Sequence, residues 1–257
     1  MARQFDFCCL GECVYDGFVT LNRLAICTVS YIWIGFVGCV CVAPVENRIA
    51  FKRLSALRAN RIFNRSLLSA FFIYGSSFSM VFLLSLYLQY IYELSPSEAG
   101  KIVLIQTLIM MVLAPITGRL SDRFEPRVLS TFGCLLFVIG YAMLFRLDMH
   151  TSLNYVMLVF LGLGSGFFSS PNNNAAIGSV PADKLSIAAA ILNLARTMGN
   201  MVSSAVVMTL FSVTMGGAAI TSELYPQLLL VIKITMGLSV CYALIAATFS
   251  YRRGTIH

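Results

Sequence analysis

Residues 97–145 read SEAGKIVLIQTLIMMVLAPITGRLSDRFEPRVLSTFGCLLFVIGYAMLF. Two apolar runs, Ser97–Thr117 and Arg127–Phe145, flank a short polar loop that holds Arg119, Arg123 and Arg127. A helix needs about 20 apolar residues to cross a hydrocarbon core roughly 30 Å thick. Both runs meet that length, and they are continuously apolar rather than alternating as the strands of a β-barrel would be. The stretch therefore predicts two membrane-spanning helices joined by a basic turn.

The pattern extends in both directions. Upstream lie a span over 66–92 and, before it, a first span over 24–43 that ends at Pro44. Downstream lie spans over 153–170, 186–214 and 225–251. An irregular N-terminal stretch (1–23), a basic linker (44–65) and a short tail (252–257) complete the organisation, with residues 66–251 forming one six-span unit. Across the 257 residues, 58% are hydrophobic and only 11% charged, with a mean hydropathy of +0.83. A soluble domain carries about 25% charged residues, so the chain reads as an all-α membrane protein solvated by lipid.

The net charge of +7 would point to nucleic acid in a soluble protein. Here its distribution points to membrane orientation instead. Arg48, Lys52, Arg53, Arg58, Arg61 and Arg65 fill the linker, Arg119, Arg123 and Arg127 the next alternate loop, Lys184 the next, and Arg252 and Arg253 the tail. The three intervening loops hold only Arg146. Cytoplasmic loops carry the excess of Lys and Arg, so the linker and C-terminus are expected in the cytoplasm, with no nucleic-acid partner.

No metal or cofactor is expected. Cys9 and Cys13 have loose ligand spacing, but the two histidines, His150 and His257, lie far away in sequence. Cys134 and Cys241 fall in apolar spans, where a free cysteine acts as a small hydrophobe. Residues 1–20 lack the apolar core of a cleavable signal peptide.

Ser95-Pro96-Ser97-Glu98 has the form of a capping box with proline at the first helical position. Glu98 is read as that cap, with external proton binding as the competing role.

The loop Gly118-Arg-Leu-Ser-Asp122-Arg123-Phe-Glu-Pro-Arg127 resembles the signature loop of the major facilitator superfamily, G-x-L-x-D-R-x-G-R-[KR]. Glu125 stands where that pattern has glycine, and Pro126 where it has a basic residue. A glycine permits close helix approach, and Asp122 can accept charge-assisted hydrogen bonds from arginines or a helix N-terminus. The resemblance implies a conformational switch built from Gly118, Asp122, Arg123 and Arg127. An ordinary basic turn is the alternative.

A longer resemblance runs from about Arg48 to Tyr251. Leu161-Gly-Leu-Gly-Ser-Gly-Phe-Phe-Ser-Ser-Pro171, the loop Val180-Pro-Ala-Asp183 and Ile191-Leu-Asn-Leu-Ala-Arg-Thr-Met-Gly199 follow one another. Together with Phe63-Asn64-Arg65, Leu86-Tyr-Leu-Gln89 and Leu94-Ser-Pro-Ser-Glu-Ala-Gly100, they resemble the late spans of the fourteen-span drug–proton antiporter branch. The fold implied is a six-helix C-terminal bundle of a major facilitator fold plus one preceding transmembrane helix. Gly162 and Gly166 lie four apart on one helix face, which suits close helix packing in lipid, and Gly199 is assigned the same role.

Arg196 lies about ten residues into its span, where a charge is costly and normally faces a bundle interior or wet cavity. Asn193 and Asn200 bracket it at helical spacing. This face belongs either to a transport path or to a structural knot between helices. Tyr74, Ser77 and Gln106 are further path candidates. Gln89 and Asn172-Asn173-Asn174 fall near span ends, and Lys233 either snorkels outward or faces the cavity.

All eleven acidic residues lie in loops, at span ends or in the N-terminal stretch. Proton antiport needs a titrating group in the path, usually a buried carboxylate. The expectation is therefore a half-transporter exporting a small lipophilic substrate with a complementary N-terminal half or a second copy, and either the proton carrier lies on the complementary half or the chain does not couple to protons. A non-transporting membrane subunit and an inactive truncated product are the alternatives. No constellation of catalytic side chains suggests an enzyme, and a bacterial inner membrane is the expected location.

Overall fold

The computed structural model describes residues 60–146, 155–215 and 224–254. The first expected span, most of the linker, both histidines and the six cysteines before residue 42 lie outside the described residues. Six long helices form the rest: α1 (Arg61–Tyr90), α2 (Pro96–Arg123), α3 (Pro126–Phe145), α4 (Val156–Gly178), α5 (Leu185–Met215) and α6 (Tyr225–Tyr251). A 3-10 turn at Ala182–Lys184 leads into α5. All of these except α4 are long and apolar enough to cross a membrane. Serines, Pro171 and three asparagines interrupt the apolar run of α4.

Several boundaries differ from expectation. Helix α1 begins at Arg61 rather than after Arg65, because the Asn60 side chain caps it by accepting from the amides of Ile62 and Phe63 at 3.0 and 3.3 Å. Helix α4 runs through Pro171 to Gly178 instead of stopping at Ser170. Proline is tolerated inside helices packed in membranes because neighbouring helices satisfy the freed backbone groups. Asn172–Asn174 are thus helical residues, not a wet loop.

The start of α2 follows its sequence signature. Ser95 Oγ accepts from the Glu98 amide at 3.3 Å, and Glu98 Oε2 accepts from the Ser95 amide at 3.0 Å. Two amides that no helical carbonyl can reach are thereby satisfied.

Neighbouring helices follow the order α2, α4, α3, α6, α1, α5, with α1 also touching α4. Exchanging the first three helices with the last three returns this order reversed. That is the packing expected of two three-helix repeats related by a pseudo-twofold axis. The core between α1, α3, α4 and α6 is built on Leu83, Tyr87, Phe137, Tyr141, Leu161 and Phe168, each at most 1% exposed. At the ends of the order, α2 and α5 cover little of themselves. Only 11% and 22% of their most apolar windows are buried, against 44–50% for α1, α3 and α6.

Small residues permit the closest approaches. A Cβ built on Gly162 would stand 2.8 Å from Ile109 Cβ, and one on Gly166 would stand 2.7 Å from Leu113 Cβ, so α2 rests directly on the α4 backbone. Gly199 of α5 meets the Phe71 carbonyl and Gly75 of α1 in the same way. Hydroxyls tie the same pairs. Thr117 Oγ1 donates to the Gly166 carbonyl at 2.9 Å, and the Ser79 and Ser203 hydroxyls bond across α1 and α5.

Candidate functional site

Helix α5 carries Asn193, Arg196, Thr197, Asn200 and Ser204 at spacings of three and four, which places them along one face. Asn193 and Thr197 are exposed; the other three are half-buried. Arg196 is the twelfth residue of the helix, so it lies roughly 16 Å along the axis. Its Nη2 donates to Asn173 Oδ1 of α4, and Nη1 lies 3.4 Å from Asn193 Oδ1. Its guanidinium sits over the Tyr74 ring of α1, 5.0 Å from the centroid. The Tyr74 hydroxyl reaches Ser169 Oγ of α4 at 3.4 Å. Three helices therefore converge on one cation.

The other candidates are dispersed. Ser77 bonds the Ile73 carbonyl at 2.9 Å and lies 3.3 Å from the Tyr141 hydroxyl of α3, inside the bundle rather than with Arg196. Gln106 belongs to α2, at the opposite end of the packing order from α5, and its Oε1 is buried without a hydrogen-bond partner. The Asn200 carbonyl accepts from Ser204 Oγ at 2.9 Å. Gln89 bonds back to Ser85 of its own helix.

The signature loop is largely helical. Gly118, Asp122 and Arg123 belong to the last turns of α2, and a Cβ on Gly118 would meet Ser170 Oγ at 3.1 Å. Asp122 and Arg123 are exposed. Arg127 pairs with Glu125 at 3.7 Å and lies 5.5 Å from the Tyr251 ring centroid. Asn174 Nδ2 donates to Ser121 Oγ at 2.6 Å, joining the loop to α4.

Sequence reasoning missed Arg253. In the sequence it reads as a tail charge, yet it is 1% exposed. Its guanidinium lies 3.0 Å from Ser66 Oγ, 3.0 Å from Asn172 Oδ1 and 2.6 Å from Ser130 Oγ. The run of serines at helix ends, Ser66, Ser130 and Ser250, was the available signal.

The Major Facilitator Superfamily model matches residues 24–204. The chain belongs to that superfamily. It is a multi-pass membrane protein of a transporter family, and its relatives are transporters rather than enzymes. The riboflavin transporter RibZ of Clostridioides difficile is 37% identical over 133 residues, 49% of this chain and 29% of that protein. The multidrug efflux pump LfrA of Mycolicibacterium smegmatis is 29% identical over 152 residues, 58% of this chain and 30% of that protein. The multidrug resistance protein Stp of Mycobacterium tuberculosis is 25% identical over 183 residues, 70% of this chain and 34% of that protein. The matched part thus spans about a third of the length of these relatives.

Proposed function

We propose that this chain supplies one six-helix half of an efflux transporter of the fourteen-span drug–proton antiporter type, working with a complementary half or a second copy. The observation that carries the reading is the polar file on α5, Asn193 to Ser204, left only partly covered by the described helices. Polar side chains deep in a membrane are costly and face a bundle interior or a wet cavity. Such a file is at home on a path between two halves and out of place against lipid. Substrate sites of transporters with repeated halves lie near the midplane, at the interface between repeats.

Several further features support the same reading. The α2–α4–α3–α6–α1–α5 order supports a half built from two three-helix repeats. Two of the relatives, LfrA and Stp, matched over 58% and 70% of this chain, are multidrug proteins. The described carboxylates all lie at helix ends or in loops, which leaves the coupling proton to a carboxylate of the other half. The Lys and Arg bias supports a cytoplasmic linker and C-terminus, and a bacterial inner membrane as the location. There Gly118, Asp122, Arg123 and Arg127 act as the conformational switch. A second reading, a flat-ring vitamin as cargo, is favoured by the RibZ match and by the aromatic shelf at Tyr74.

Expression in cells stripped of efflux pumps tests the proposal. Retention of lipophilic dyes of both charges is measured with the chain alone and with a complementary half. Lowered retention supports transport. Unchanged retention in both settings sinks it.

A further inference from the structure

Arg196 holds a charge that no described residue neutralises. No described carboxylate lies within 4.0 Å of it, and its terminal nitrogens bond the neutral amides of Asn173 and Asn193. An amide oxygen orients a guanidinium without cancelling its charge. The Nε–H is buried and has no hydrogen-bond partner. The side chain is nonetheless held in place, clamped by two asparagines from two helices and laid on the Tyr74 ring. A cation fixed in advance binds an anion at little ordering cost.

We infer that the cargo carried by this half is a flat aromatic anion, its charge on Arg196 and its ring beside Tyr74. This rests on the transporter reading above. Two features select the class. The uncompensated guanidinium attracts negative charge and repels a cationic drug, since like charges brought into contact are unfavourable. Guanidinium planes also stack on aromatic rings, and Tyr74 already uses one face in that way. Ser169, held by the Tyr74 hydroxyl, and Asn200, one turn further along α5, give polar edges on either side.

The test compares two dyes with the same xanthene ring and opposite charge, fluorescein and rhodamine 6G. The full chain is reconstituted in phosphatidylcholine nanodiscs, so that no anionic lipid competes, and binding is followed by fluorescence anisotropy. The wild type should prefer fluorescein by about tenfold or more. Arg196→Gln should bring the two affinities within about twofold, and Arg196→Lys should keep most of the preference, since charge rather than shape sets it. Equal or tighter binding of rhodamine 6G by the wild type overturns the inference, as does a preference that survives in Arg196→Gln. Should Arg196→Gln not fold, the wild-type ratio decides alone. If Arg196 instead awaits a carboxylate of a complementary half, adding that half should bring the wild-type ratio near one, which also overturns it. Vesicles separate this outcome from the transport reading. Movement of rhodamine alone removes the anion preference and leaves transport standing. Tight fluorescein binding with neither dye moved, even beside a complementary half, removes transport and leaves the anion site.

Discussion

Arg253 donates to the side-chain oxygen of Asn172, 3.0 Å away and 81 residues earlier in the chain. The same guanidinium holds Ser66 of α1 and Ser130 of α3, and Asn172 in turn donates to the Ser66 carbonyl at 3.2 Å. Ser250 of α6 lies 2.8 Å from Ser130. One side chain just past the last helix thus joins the ends of four helices. Burial pushes its pKa down to about 10, with Arg127 adding a smaller push the same way. It therefore keeps its charge at neutral pH.

Removing this guanidinium leaves several buried polar groups short of a partner. Arg253→Leu should destabilise the bundle by roughly 3 kcal/mol, because hydrogen bonds to a charged group are stronger than neutral ones and the groups left behind stay desolvated. Arg253→Lys should lose part of that, since an ammonium lacks the planar fork that reaches two helices at once. Thermal unfolding in detergent micelles measures both. A cycle combining Arg253→Leu with Asn172→Ala should show coupling above about 0.5 kcal/mol. Strict additivity would contradict the contact.

Close approach of α2 to α4 makes a second prediction. A methyl group on Gly166 would press on Leu113 Cβ at 2.7 Å. Gly166→Ala should cost about 1–3 kcal/mol as overpacking. Leu113→Gly in the same chain removes that Cβ and should relieve the contact, so that the double variant is more stable than the two single costs sum to. A double variant as unstable as that sum would mean that the clash lies elsewhere.

Thr117 bonds the same seam by chemistry rather than shape. Its hydroxyl is fully buried and reaches the Gly166 carbonyl as well as carbonyls of its own helix. Thr117→Val keeps the volume and deletes the donor. The expected cost is about 1 kcal/mol, the net worth of one hydrogen bond. Thr117→Ser, which keeps the hydroxyl, should lose less of the bond and more of the packing.

These features were legible in the sequence to different degrees. The spans could be read because lipid imposes one length and one polarity on every crossing helix. The Ser95–Glu98 cap could be read because both partners sit within one helical turn. Arg253 could not. The count that orients the loops treats every basic residue alike, and its partners Ser66, Ser130 and Asn172 are 187, 123 and 81 residues away. Asn172–Asn174 suffered from a local rule. Proline after a glycine-rich run reads as a helix end, whereas packing against α1, α2 and α3 carries α4 past it. The Arg196 face was half legible. Its spacing was visible, but Tyr74 and Asn173 come from other helices and only the fold brings them together.

The polar file on α5 gives the sharpest separation of stability from function. Asn193 and Thr197 are exposed, and Thr197 Oγ1 bonds only the carbonyl of Asn193 in its own helix at 3.0 Å. Replacing such residues removes no contact between helices. Thr197→Leu should therefore change unfolding by no more than about 0.5 kcal/mol. If the face met lipid, an apolar residue there would suit its surroundings and transport would be untouched. Facing a wet path, the same residue narrows it and removes a polar contact, and dye movement by vesicles containing the chain and its complementary half should fall several-fold. Met201 and Met208, the latter far along the same helix, supply the control, since both are already apolar and more than half exposed. Met208→Leu should alter neither measurement. A loss of transport at Met208 equal to that at Thr197 would show that general helix surface, rather than the polar file, limits movement.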